Sequence, residues 1–229
     1  METRKYRVGP VEKISLETQQ FKWSVLSTGN CGILVKPLIG RHEREYHENQ
    51  RLGLAFAHHV IQQLDGDPSS ERLSTPQLLL DAADAVITDP DFMFLLMTTW
   101  RYVPEGVEIC SVGANTVLVF EQDTIEEVIV PHTALEWLKQ QGQSIHAPLF
   151  ANPVTHMLGS RKSQKSCRIE DIRVALVPLL PTTTIAIIAE QLLVEAIQEQ
   201  RIPRNELSSF IETWSPPGRM RTTSVLISW

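Results

Sequence analysis

The chain has 229 residues, 42% of them hydrophobic and 21% charged, with a net charge of −6. Those proportions predict an ordinary globular protein, long enough to bury a sizeable core, in a single domain over residues 1–229. The acidic balance is spread along the chain, which excludes an electrostatic case for nucleic acid or an anionic membrane as partner.

The three cysteines, Cys31, Cys110 and Cys167, are far apart and form no C-x-x-C pair. This predicts free thiols in a reducing cytoplasm. The opening "METRKYRVGPVEK" lacks the apolar core of a signal peptide. No window approaches the ~18 apolar residues of a membrane span, so the expectation is a cytoplasmic protein.

In chain order, "KWSVLS" (22–27) and "GILVK" (32–36) flank the turn residues of "TGNC" and predict a hairpin. In "REYHENQRLGLAFAHHVIQQL", Leu52, Phe56, Val60 and Leu64 recur at i+4, with Ala55 and His59 beside them, which predicts a long amphipathic helix. A second helix starts near Ser74, Thr75 and Pro76. "FMFLLMTTWRYV", "GVEICSV", "TVLVFE" and "IEEVIV" are β-rich runs separated by "PEG" and "GAN", and read as an antiparallel meander. "HTALEWLKQQG" reads as a short helix stopped by Gly142. Residues 159–167, "GSRKSQKSC", read as an exposed loop. "IRVALVPLL" and "TTTIAIIA" predict strands, "EQLLVEAIQEQ" and "RNELSSFIETW" a helical pair, and "TTSVLIS" a closing strand. Two mainly antiparallel sheets packed face to face with helices outside, an α+β sandwich of four layers (α-β-β-α), accommodates that order.

The densest group of histidines and acids, "GRHEREYHEN" (40–49), is not read as a metal site. His42 and His47 are five apart, so on a helix they point ~140° away from each other. Glu43 with His47, Arg41 with Glu45 and Arg44 with Glu48 have the i,i+4 spacing of helix-surface pairs. Cys110 reads as a buried structural thiol, Trp100, Trp137 and Trp214 as core, and no G-x-S-x-G elbow is present. Trp229 reads as docked in the core, and the Pro-Pro stretch "ETWSPPGRMR" as a recognition loop.

Six landmarks stand in an order that resembles the metal-dependent protein phosphatases of type 2C. "RLGLAFAHHVIQQL" resembles that family's first long helix, and "TTWRYVPEGVEICSVGANTVLVF" the stretch running through its "N-V-G-D-S-R". "PHTALEWLKQQGQ" resembles its "D-H-S" segment, and "ANPVTHMLGS" its "N-x-L-T-R-A-L-G". "EDIRVALVPLLPTTTIAIIAEQLL" resembles the run into "L-L-L-C-S-D-G-L", and "TTSVLIS" the closing "D-N-x-T-V-V-V-V". The likeness runs from about Val8 to Ser228.

That family holds a pair of Mg²⁺ or Mn²⁺ ions with aspartates, because hard ions need oxygen ligands and a phosphate needs concentrated positive charge to accept a nucleophile. Here the aspartate of the Gly-rich turn falls at or near Lys36, and only Gly40 survives from that turn. The "G-D-S" turn reads Gly113-Ala114-Asn115, with Ala114 at the aspartate, and "S-D-G" reads Ala189-Glu190-Gln191. Arg221 stands near the closing "D-N", and only Glu17 is acidic in "LETQQF". The resemblance therefore implies a pseudophosphatase with no cofactor. Lys36 and Arg221 would pair with Glu190 in place of metal charge, or bind a phosphate without hydrolysing it. Its partner would be a protein, such as a phosphoprotein or a kinase. Two alternatives stand beside it: a divergent phosphatase rebuilt from Glu17, Glu43 and Glu190, and a small-molecule sensor using the vacated cleft.

Overall fold

The computed structural model describes residues 4–8, 11–15, 23–39, 46–65, 75–91, 93–122, 124–142, 153–214 and 223–228. In chain order its strands and helices are β1 (Arg4–Val8), β2 (Val11–Ser15), β3 (Ser24–Ser27), β4 (Cys31–Ile39), α1 (Tyr46–Leu64), α2 (Thr75–Val86), β5 (Met93–Val103) and β6 (Gly106–Val112). Then follow β7 (Thr116–Glu121), β8 (Thr124–Ile129), α3 (Ala134–Gln140), β9 (Arg173–Val177), β10 (Thr183–Ile188), α4 (Gln191–Gln200), α5 (Leu207–Thr213) and β11 (Thr223–Ser228). The predicted hairpin, helices and closing strand are present. β1 and β2 were not anticipated: "RKYRV" and "VEKIS" interleave charges with single apolar residues and form no run.

The strands form two antiparallel sheets, one ordered β1-β2-β11-β10-β7-β8 and the other β3-β4-β5-β6-β9. The expected meander over residues 92–130 is therefore corrected. β5–β6 and β7–β8 are hairpins in different sheets, and the chain crosses between sheets at Gly113-Ala114-Asn115. Gly113 has φ +106°, and a Cβ there would meet Leu96 Cδ2 at 2.7 Å, so the corner needs glycine.

Strand alternation divides the apolar residues into three buried layers. Ile33 and Val35 of β4, with Leu95, Met97, Cys110 and Val112, face α1 and α2. Leu34, Trp100, Ile109, Val117, Ile185 and Val225 lie between the sheets. Leu118, Phe120, Ala186, Ile188 and Leu226 face α4 and α5. This is the four-layer α-β-β-α sandwich, and each fully buried aliphatic contributes about 1.5–3 kcal/mol. On α1 the stripe Leu52, Phe56, Val60 and Leu64 is buried as expected. Its flank is Gly53, Ala57 and Ile61, whereas Ala55 is exposed and His59 half-buried.

Residues 159–167 form a loop, but a pinned one. Asp84 of α2 accepts from Ser160 Oγ at 2.8 Å and from the Arg161 N–H at 2.7 Å, and pairs with the Arg161 guanidinium. Arg161 also reaches Asp81 at 2.9 Å. These contacts hold the Asp84 carboxyl below its usual range despite the opposing effect of its partial burial. Cys31, Cys110 and Cys167 are buried free thiols, and burial pushes Cys110 and Cys167 up to about 12. Trp100 is core and Trp214 is half-buried against α4 and α5. Trp137 is corrected: it is 55% exposed, on a helix with no buried residue.

Gly32 packs tightly against Trp100, where a Cβ would meet the indole at 2.1–2.7 Å. Gly32→Ala is expected to lower stability by about 1–3 kcal/mol through overpacking. Urea unfolding followed by tryptophan fluorescence measures this, and an unchanged midpoint would refute the tight contact.

Candidate functional site

Lys36 lies on β4 two residues beyond Leu34, so alternation turns it toward the interior between the sheets. Its Nζ is 5.8 Å from the centre of the Trp23 ring, within cation–π reach. Burial pushes the Lys36 ammonium down from its ordinary range, and the Glu190 carboxylate opposes that shift. Glu190 stands at the other sheet, directly after β10. It is the N-cap of α4 and accepts the Leu192 N–H at 3.3 Å. Burial raises its carboxyl, and the Leu192 N–H and the Lys36 charge pull it back. A cation from one sheet and an anion from the other thus act on each other electrostatically across the sandwich.

Beside this pair on the inner face is a directed hydrogen-bond chain. Asn115 Nδ2 donates to Thr98 Oγ1 at 2.8 Å, Thr98 meets Ser111 Oγ at 2.8 Å, and Ser111 donates to the Met97 carbonyl at 3.3 Å. With Ser111's proton spent on the carbonyl, Thr98 donates to Ser111 and both hydroxyls are committed. Asn115 Oδ1 is buried with no hydrogen-bond partner among the described residues. Ala114 is half-buried at the corner between them and offers no ligand atom on its side chain.

The corner is also tied to a second group of titratable side chains that the sequence did not signal. The His132 N–H donates to Gly113 O at 2.6 Å, and Gly113 N–H donates to His132 Nδ1 at 3.2 Å. Arg173 Nε lies 3.1 Å from His132 Nε2. A donor thus faces each ring nitrogen, a neutral imidazole accepts from only one of them, and a second ring proton would leave neither able to accept. Burial, with Arg173 and His156 adding positive charge, pushes His132 down to about 4. The His156 ring is 4.9 Å away, and its Nε2 is 3.9 Å from Asp171. Thr133 caps α3 by accepting the Glu136 N–H at 3.3 Å.

Hard divalent ions need several oxygen ligands. Among the described residues, no group of three or more His, Cys, Asp or Glu side chains is placed to hold a metal ion. Near the corner, one amide oxygen on Asn115 and one carboxylate on Glu190 coupled to an ammonium do not fit a metal pair. Gly40 and Arg221, like Glu17, His42, Glu43, Trp229 and the Pro-Pro stretch, lie outside the described residues, as does the side chain of His47. No described helix is long and apolar enough to cross a membrane.

No protein-family model and no curated protein matches the chain. Solved structures do. The Mycobacterium tuberculosis serine/threonine phosphatase PstP/Ppp is 12% identical with a TM-score of 0.66, over 98% of this chain and 96% of that one. The catalytic domain of PstP in complex with two manganese ions is 13% identical, TM-score 0.63, over 98% and 95%. PppA, a regulatory component of T6SS in Pseudomonas aeruginosa, is 11% identical, TM-score 0.58, over 99% and 96%. At such identities the likeness is one of fold. This chain has the fold of the PPM-type serine/threonine phosphatases.

Two outcomes follow from this geometry. Lys36→Met and Glu190→Gln each leave one half-buried charge without its partner, so each is expected to destabilise more than the double variant does. A double-mutant cycle in urea should give a coupling of about 0.5–3 kcal/mol, and strictly additive effects would refute the pairing. For His132, the folded chain keeps the ring neutral down to about pH 4, whereas an ordinary histidine protonates near 6.5. Unfolding then takes up a proton between those values, so this contribution is complete above pH 6.5 and is lost as pH falls toward 4. His132→Gln should flatten the stability–pH slope across that window, and an unaltered slope would refute the assignment.

Proposed function

We propose that the chain is a catalytically inactive phosphatase-fold protein that regulates by binding a protein partner, with phosphoproteins and kinases the classes in view. The observation that carries this reading is Lys36. The resemblance puts a metal-ligating aspartate at or near this position, and the chain instead has a half-buried ammonium balanced by Glu190. A fixed cation at that point repels a divalent ion. Ala114 at the next such position supplies no carboxylate, and the nearby hydroxyls of Thr98 and Ser111 are committed to each other and to the Met97 carbonyl. PppA, a regulatory component of its own system, gives a precedent for this fold in regulation.

The test is calorimetric titration of Mn²⁺ and Mg²⁺ into the full chain, with hydrolysis of p-nitrophenyl phosphate followed on the same sample. Neither binding nor turnover is expected. Micromolar metal binding with turnover would overturn the reading and place the chain among working phosphatases.

A further inference from the structure

At the end of α4 opposite Glu190, ten residues and ~15 Å along the helix, lies a cavity of about 440 Å³. That volume is in the range of small-molecule sites. Phe120 and Ile202, both buried, give it an apolar floor, while Gln122, Gln198, Arg201 and Arg204 supply its polar rim. Among the described residues no carboxylate lines it. Glu127 accepts from Gln198 Nε2, on the rim, at 3.4 Å.

The two arginines differ in how they are held. Arg204 Nε donates to Thr184 Oγ1 at 2.7 Å and Nη2 to the Pro181 carbonyl at 3.2 Å, which fixes the plane of its guanidinium. The Arg201 guanidinium makes no hydrogen bond or ion pair among the described residues.

The backbone marks the same place. Gln122 at φ +51° and Arg201 at φ +48° are the two non-glycine residues with positive φ among the described residues, and both line this cavity. The left-handed conformation is disfavoured for any residue with a Cβ. A hairpin turn and a helix C-terminus are the two positions where glycine ordinarily takes it. The chain keeps long polar side chains there, and both border one cavity.

We propose that this cavity binds a small organic phosphate monoester. The two guanidiniums match the dianion in charge and in hydrogen-bonding geometry, and the Phe120–Ile202 floor takes the apolar body of the ester. The site is separate from Lys36 and Glu190 and does not depend on the function proposed above.

The experiment is calorimetry on the full chain with phenyl phosphate and inorganic phosphate as probes. Phenyl phosphate is expected to bind, and about tenfold more tightly than inorganic phosphate. Arg201→Gly should weaken it by about tenfold or more while the thermal midpoint holds or rises, because glycine relieves the left-handed backbone. Lys36→Ala should leave the affinity unchanged. No phenyl phosphate binding up to about 10 mM, or a loss in Lys36→Ala with none in Arg201→Gly, would overturn the proposal. A phosphoserine peptide that binds more tightly than phenyl phosphate would overturn the small-ligand assignment in favour of a protein.

Discussion

The crossing of the chain from one sheet to the other at Gly113-Ala114-Asn115 is the constraint on which the rest of the molecule hangs. Only a residue without Cβ fits against Leu96 with φ +106°, so the corner is set by sterics before any side chain bonds to it. Once it is made, both polar groups of Gly113 are used by His132, one through the backbone and one through the ring. That fixes the start of α3. Asn115 then reaches back to Thr98, and through it to Ser111 and the Met97 carbonyl, locking β5 to β6 from the inner side. Elsewhere between the sheets the contacts are largely apolar and non-directional. This corner supplies the direction that apolar packing lacks.

The attraction between Lys36 and Glu190 adds a second polar interaction across the sandwich. Its energetic value is limited, since removing two charges from water consumes much of what their attraction returns. Such a pair is better understood as a device of register. It penalises any slip of β4 against the end of β10, because a one-residue shift would put an ammonium into the apolar layer facing α1. Lys36 is the one charged residue of β4, whose other positions are apolar or glycine, so its inward-facing place sets the register.

What was legible in the sequence followed from local period. α1 showed its i+4 stripe, β7 and β10 their unbroken apolar runs, and Cys110 its apolar setting. β1 and β2 were invisible because "RKYRV" and "VEKIS" carry too many charges for a run to stand out. The meander over 92–130 was misread for a different reason. Periodicity says that a segment is a strand but not which sheet it joins, and a three-residue corner between sheets resembles a hairpin turn. Trp137 was assigned to the core on residue type, yet the short α3 has no buried face. The pairing of Lys36 with Glu190 came from the order of landmarks along the chain, not from any pattern around either residue. Arg173 beside His132, 41 residues away, has no local signal at all.

The two ends of α4 show how far helix electrostatics can carry an explanation. A carboxylate at the N-terminus and a guanidinium at the C-terminus both have the sign that the helix dipole favours. Charge alone therefore asks for no ligand at either end. Conformation separates them. Glu190 is extended, at φ −121° and ψ 114°, a shape open to any residue, and its carboxylate has local work in capping Leu192 and balancing Lys36. Arg201 is left-handed, and the dipole does not require that, since a lysine or arginine one turn earlier would serve it without strain. Helix termination does not require an arginine there either, because glycine ends helices more easily. The cavity that Arg201 borders, shared with the other left-handed side chain of the described structure, accounts for both the charge and the conformation.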